Sequence, residues 1–249
     1  MTRPWTALGA AVQFLTRIPV PGGLTGGSDL IDAAPYFPLV GALLGLAAGA
    51  SDRLLRLHLG ALAAAALTVS GLVVLTGGLH EDGLADSADG CGGRTPERRL
   101  EIMRDSRIGS YGALAITLSV LLRTALIAAL PAHAVLAAIV SAETLSRWTA
   151  LPLACALDPA RRAGPESGQG AKLARRLSGP ALLLGTLFAA LPAWWLLGPH
   201  CAADVLVALA LAVASISYFR RHLGGITGDG FGATIQVTAV ALYACSLWR

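Results

Sequence analysis

The sequence predicts an all-α, polytopic integral membrane protein with about seven spanning helices and its active-site loops on the cytoplasmic face. Three observations predict this class. Hydrophobic residues make up 55% of the 249 and charged residues only 14%, against about 25% charged in a soluble domain. Mean hydropathy is +0.64, and the apolar residues form runs near the length of a membrane helix. The remaining charge is concentrated in residues 77–112, GGLHEDGLADSADGCGGRTPERRLEIMRDSRIGSYG, with long apolar segments on both sides. The calculated pI of 9.2 does not call for nucleic acid, because Lys and Arg collect in the cytoplasmic loops of membrane proteins. Cys91, Cys155, Cys201 and Cys245 have neither metal nor disulfide spacing. One domain, residues 1–249, is expected, with oligomeric state left open.

In chain order, residues 6–17 read as a short interfacial helix stopped by Pro19 and Pro21, or else as a disordered leader. Spans are expected at 34–50, 59–76, 111–130, 134–157, 180–197, 202–219 and 231–248. Asp52, Arg53, Arg56 and His58 make a polar break after the first span. Thr95-Pro96 reads as an N-cap with Pro at the first helical position, opening a short amphipathic helix over 96–107. Pro131 turns the chain between spans three and four, and Gly198-Pro199-His200 joins five and six. Residues 158–178 and 220–230 are polar loops. With the N-terminus in the cytoplasm, 14 of the 19 Lys and Arg lie inside and three outside, while Arg123 and Arg147 lie within spans. The central stretch and both polar loops then share the cytoplasmic face, so one site can draw on all three.

The acids of that stretch carry the chemistry. On a helix, Asp82, Asp86 and Asp89 fall within roughly 60° of one another. Three clustered carboxylates repel, and a hard divalent cation such as Mg²⁺, shared with substrate phosphates, would relieve them. The arginines that follow, Arg104 and Arg107 among them, can grip phosphate in bidentate fashion. Alternatively, the stretch is a solvated loop whose acids and bases pair. His80 is a candidate base or substrate contact, or a packing histidine. Glu143 and Arg147 stand i, i+4 and can form an internal salt bridge; otherwise Arg147 reaches phosphate. Residues 77–83 (GGLHEDG) echo 224–230 (GGITGDG), identical at four of seven positions. Each adds an Asp to glycines that allow tight turns and close approach to phosphate. Asp229 is thus either a fourth metal ligand or a helix cap.

At this point the residues match a known family. Phe14-Leu15-Thr16-Arg17-Ile18-Pro19-Val20-Pro21 and Tyr36-Phe37-Pro38-Leu39-Val40-Gly41 are two of its motifs. The acidic motif Gly77-Gly78-Leu79-His80-x-Asp82-Gly83-Leu84-Ala85-Asp86-x-x-Asp89-Gly90 follows. Next come Glu101-Ile102-Met103-Arg104-Asp105-Ser106-Arg107-Ile108-Gly109, then Ser146-Arg147. Gly224-Gly225-x-Thr227-Gly228-Asp229-x-x-Gly232-Ala233 closes the series. Nearly end to end, the chain resembles the cobalamin synthase family, the adenosylcobinamide-GDP ribazoletransferases. The resemblance implies an Mg²⁺-dependent enzyme of the bacterial inner membrane with its site facing the cytoplasm. It would join adenosylcobinamide-GDP to α-ribazole, or its 5′-phosphate, and release GMP, the last assembly step of the cobalamin nucleotide loop. Taken with the spacing, this leads to the expectation that Asp82, Asp86 and Asp89, with Asp229, hold one or two Mg²⁺ ions, with a base drawn from an aspartate not used by the metal or from His80. Arg104, Arg107 and Arg147 would neutralise phosphate. The chain departs from the family where a GA-x-x-E-x-x-E run is common: Gln236 and Ala239 replace the acids.

Two rivals are weaker. A CDP-alcohol phosphotransferase shares only Asp82-Gly83-Leu84-Ala85, with Asp86 and Ser87 where its motif needs Ala and Arg. A cation transporter would place its acids near mid-membrane on broken helices, not at a span end among arginines.

Overall fold

The computed structural model describes residues 3–24, 29–160, 172–174 and 177–248. Arg161, Arg162, Arg175 and Arg176 of the expected basic loop, and Arg249, lie outside these. The described residues are helical apart from turns and one isolated bridge between Pro159 and Ile226.

The helices are α1 (Pro4–Leu15), α2 (Leu30–Ala33), α3 (Phe37–Leu55), α4 (Ala61–Thr76), α5 (Leu79–Gly90), α6 (Pro96–Ile102), α7 (Ser110–Ala129), α8 (Val135–Trp148), α9 (Ala150–Ala156), α10 (Gly179–Leu197), α11 (Cys201–Leu223) and α12 (Gly228–Ser246). Three segments are long and apolar enough to cross a membrane by length and composition: Leu30–Leu55, Ser110–Ala129 and Gly179–Leu223. The α4–α5 pair, bent by 89°, makes a fourth if it counts as one span. The sequence-based count of seven differs for identifiable reasons. At 16 residues, α4 is short for a span, and α8, at 14, is shorter still. The expected fourth span breaks at Thr149, where Pro152 cannot donate a helical hydrogen bond. Residues 179–223, expected as two spans, carry α10 and α11 joined by the turn at Gly198–His200. Helix α6 ends at Ile102, five residues short of expectation, and α1 starts at Pro4 and ends at Leu15.

Polarity is inverted on α7. Leu114, Leu118, Leu121 and Leu122 are exposed while Ser119 and Arg123 are buried. That pattern suits apolar surroundings, where polar groups are favoured inside the protein.

Small residues set the packing. Gly41, Gly45 and Gly49 form one stripe of α3 laid on the backbone of α8: a Cβ on Gly45 would stand 2.7 Å from Val140 Cα, and one on Gly49 3.0 Å from Leu136 Cα. This is the small-residue route to close helix contact in membranes. The same device joins α5 to α12. A Cβ on Gly83 would lie 2.8 Å from the Asp229 carbonyl, and one on Gly232 3.3 Å from His80 Cα. The two echoing segments therefore meet.

Candidate functional site

The site is assembled where α4 turns into α5. Gly77 and Gly78 both have positive φ, 66° and 68°, which glycine adopts without steric cost. They turn the chain sharply, and α5 starts at Leu79 with Glu81 and Asp82 in its first turn. Gly77 also leaves room for the Arg17 side chain, and the Arg17 N–H donates to the carbonyl of Leu75 at 2.7 Å. Opposite, Gly224 has φ 70°. Ile226 then exchanges hydrogen bonds with residues 158–160: its N–H donates to the Asp158 carbonyl at 2.8 Å and its carbonyl accepts from Ala160 N–H at 2.9 Å. Parts of all three polar segments are thus in contact. Thr227 caps α12, its Oγ1 accepting from Gly230 N–H at 3.1 Å. Asp229 stands in the first turn of α12 and is not the capping residue.

Asp82 and Asp229 line one cavity of about 310 Å³, with His80 beside them and Phe14, Phe37, Phe231 and Ile235 on its walls. Asp82 also lines a neighbouring, more polar cavity of about 740 Å³, together with Gln13, Thr16, Arg17 and Glu81. Asp82, Phe14 and Leu79 are therefore common to both.

The other expected residues are divided. Asp86 is half-buried one turn along α5. Asp89 accepts from Gly109 N–H at 2.7 Å and Gly112 N–H at 2.8 Å, so it caps the N-terminus of α7. Arg104 is exposed after α6. Arg107 turns back on Asp105, Nη2 to Oδ2 at 2.6 Å, and its hydrogen bonds hold the Asp105 carboxyl down at about 2. Arg107 lines a surface recess with Asp89 and Gly109, separate from the Asp82 cavities. Among the described residues, no three His, Cys, Asp or Glu side chains form a metal cage on their own. Asp82 and Asp229 suit a Mg²⁺ ion nonetheless, since such an ion is commonly held by one or two carboxylates plus water and substrate phosphates.

Behind His80 lies a buried ionic cluster. Arg123 Nη2 donates to Glu81 Oε1 at 2.8 Å. Arg147 Nη1 donates to Glu143 Oε2 at 2.5 Å, and Tyr243 donates to Glu143 Oε1 at 2.9 Å. Arg147 is thus held in the internal salt bridge that its spacing allows. Gln236, which stands where relatives often carry an acid, lines the same crevice as Arg123, Arg147 and His80. Ser119 Oγ donates to its Oε1 at 3.4 Å. Glu81 Oε2, Arg123 Nε and Arg147 Nε are buried without a hydrogen-bond partner. The sequence reading assigned no site role to Arg17, Gln13, Thr16 or Phe14. For all but Gln13 the signal was present, since residues 14–21 are one of the motifs carrying the resemblance.

Comparison with known proteins agrees with that resemblance. The family model described as cobalamin-5-phosphate synthase matches residues 7–247. A protein of Ralstonia pickettii (strain 12J) named adenosylcobinamide-GDP ribazoletransferase is 41% identical, covering 94% of this chain and 91% of its own length. Proteins of the same name from Azorhizobium caulinodans and Shewanella amazonensis are 43% and 38% identical, again over 94% of this chain and over 92% and 91% of theirs. No solved structure matches significantly.

Proposed function

The chain belongs to the cobalamin-5-phosphate synthase family, and on that premise we propose that it is an adenosylcobinamide-GDP ribazoletransferase. It joins adenosylcobinamide-GDP to α-ribazole or α-ribazole 5′-phosphate and releases GMP. The relatives lend nothing to the phosphotransferase or transporter rivals. The observation that carries the reading is the pairing of Asp82 and Asp229, brought from two glycine-rich turns to one cavity beside His80.

Asp82 and Asp229, with Asp86 one turn away, would hold Mg²⁺. When bound, that ion neutralises charge on the pyrophosphate and on the departing GMP. The chain's own residues orient the rest. A ribose hydroxyl of the acceptor attacks the phosphorus nearest cobinamide, and the bond from that phosphorus to the bridging oxygen breaks. The oxygen leaves with GMP. His80, at the cavity wall, takes the hydroxyl proton. Arg17, lining the polar cavity beside Asp82, faces the phosphates of the donor. Arg147, in the crevice behind His80, is held by Glu143, and Asp89 holds the start of α7.

We place the enzyme in the inner membrane with this end of the helices toward the cytoplasm. The support is that Arg17, the arginines at 94–107 and Arg220 and Arg221 flank the helix ends that meet at Asp82, whereas Arg53 and Arg56 lie at the opposite end of α3. Purified protein in lipid, given Mg²⁺ and both substrates, should release GMP only when both are present. GMP release without the acceptor would mark a hydrolase instead.

A further inference from the structure

We infer that the smaller cavity is the subsite for the aromatic base of the acceptor nucleoside, so the base enters between Phe14, Phe37, Phe231 and Ile235 while its ribose faces Asp82 and Asp229. This rests on the proposed function and deepens it.

The wall is built to take a flat ring. Phe14 and Phe37 stack with centroids 5.6 Å apart at 14°, and Phe231 and Ile235 come from α12 on the other side. At about 310 Å³, the cavity lies at the lower end of the range for small-molecule sites. A corrin macrocycle, far larger than a drug-sized ligand, does not fit; a two-ring base does.

Two such bases take part in the reaction, and the lining chooses between them. Guanine presents two donor groups and a carbonyl oxygen on one edge. Set against phenylalanine and isoleucine, these would lose their hydrogen bonds to water without replacement. The dimethylbenzimidazole of ribazole offers two methyl groups there and loses none. The polar groups of this lining, Asp82, Asp229 and His80, do not change this choice, because on the proposed function the two carboxylates are taken up by the ion and His80 by the ribose hydroxyl, which leaves none of them for the edge of a base. The larger cavity, with Arg17 and Gln13, then falls to the phosphate-bearing donor. Each substrate has its own compartment, and the reacting atoms meet at Asp82.

Steady-state kinetics on the full-length protein in lipid test this. Ile235→Phe fills the cavity and should raise KM for α-ribazole on the order of tenfold, the scale of small volume changes in a hydrophobic pocket. KM for adenosylcobinamide-GDP should stay within about twofold. A rise confined to the GDP substrate, or an equal rise in both, would overturn the assignment. Wild-type protein gives an independent check should the variant fail to fold. Free 5,6-dimethylbenzimidazole should inhibit competitively against α-ribazole but not against adenosylcobinamide-GDP, and the opposite pattern places guanine in the cavity. Wild-type protein without turnover on the two substrates refutes the proposed function, and this subsite with it. Turnover with an unchanged acceptor KM in Ile235→Phe refutes the subsite alone.

Discussion

Two buried ionic groups lie along α7, both beside α3, yet they are built differently. At the C-terminal ends, Arg56 pairs with Asp52 and donates to the carbonyls of Ile127 at 2.7 Å and Leu130 at 2.9 Å. Thr68 donates to the second Asp52 oxygen at 3.4 Å. The guanidinium thereby also satisfies carbonyls at the end of α7. Farther along, where Gly41 lets α3 lie against Glu143, Arg123 and Arg147 each have a carboxylate partner. Here Glu81 Oε2, Arg123 Nε and Arg147 Nε are buried with no hydrogen-bond partner from the protein. The first group is a staple with its partners in place. The second stands behind the Asp82 cavity with hydrogen-bonding capacity in reserve, for water or for an anion. Buried charge alone does not distinguish structure from function; the state of its remaining lone pairs and protons does.

The contrast can be broken most strongly at the staple. Arg56→Ala leaves Asp52 buried without its cation and should cost about 3–5 kcal/mol of stability. Turnover per folded molecule should hardly change. Thermal unfolding in detergent, read beside the rate, checks both halves.

A smaller effect sharpens it. Gln236→Glu adds an acid where unpaired guanidinium nitrogens already wait, and should alter stability by less than about 1 kcal/mol. Thr68→Glu sets a second carboxylate beside Asp52, whose arginine is already engaged, and should cost roughly 2–3 kcal/mol. Equal penalties in the two variants would erase the distinction between the groups.

Asp89 gives a smaller test still. Gly112→Ala pushes a methyl group into the Asp89 carboxylate and should cost about 1 kcal/mol through the lost cap, partly offset by alanine's helix propensity. Circular dichroism melts would show it. The least effect is expected from Arg107→Ala, which removes an exposed pair with Asp105. KM for adenosylcobinamide-GDP should stay within about twofold. A tenfold rise would extend the donor site into the Asp89 recess.

Much of this was legible in the sequence. Hydropathy runs located most helices, and Thr95-Pro96 opens α6 as its cap predicts. The echo of 77–83 in 224–230 foreshadowed two turns in contact, because glycine at 83 and 232 lets α5 and α12 touch by backbone. What stayed hidden depends on distant partners. Helical spacing put Asp89 on one face with Asp82, yet its oxygens are taken by amides 20 and 23 residues later. Arg123 finds Glu81 across 42 residues. No periodicity reports such pairings, and none could show that Arg17 shares a cavity with Asp82. The break at Thr149 was readable from Pro152, but an apolar run masked it.

The central claim is that Asp82 and Asp229 act together at one point. Its most direct test is the Mg²⁺ dependence of GMP release in wild type, Asp82→Asn, Asp229→Asn and the double variant, each checked for folding. Losing a ligand to the ion should lower turnover on the order of a hundredfold, given the several kcal/mol such an ion contributes. Each single variant should also need more Mg²⁺. The double variant should be little worse than the poorer single one, since groups sharing one task are not additive. Wild-type Mg²⁺ dependence in Asp229→Asn, or fully additive losses in the double variant, would contradict the account.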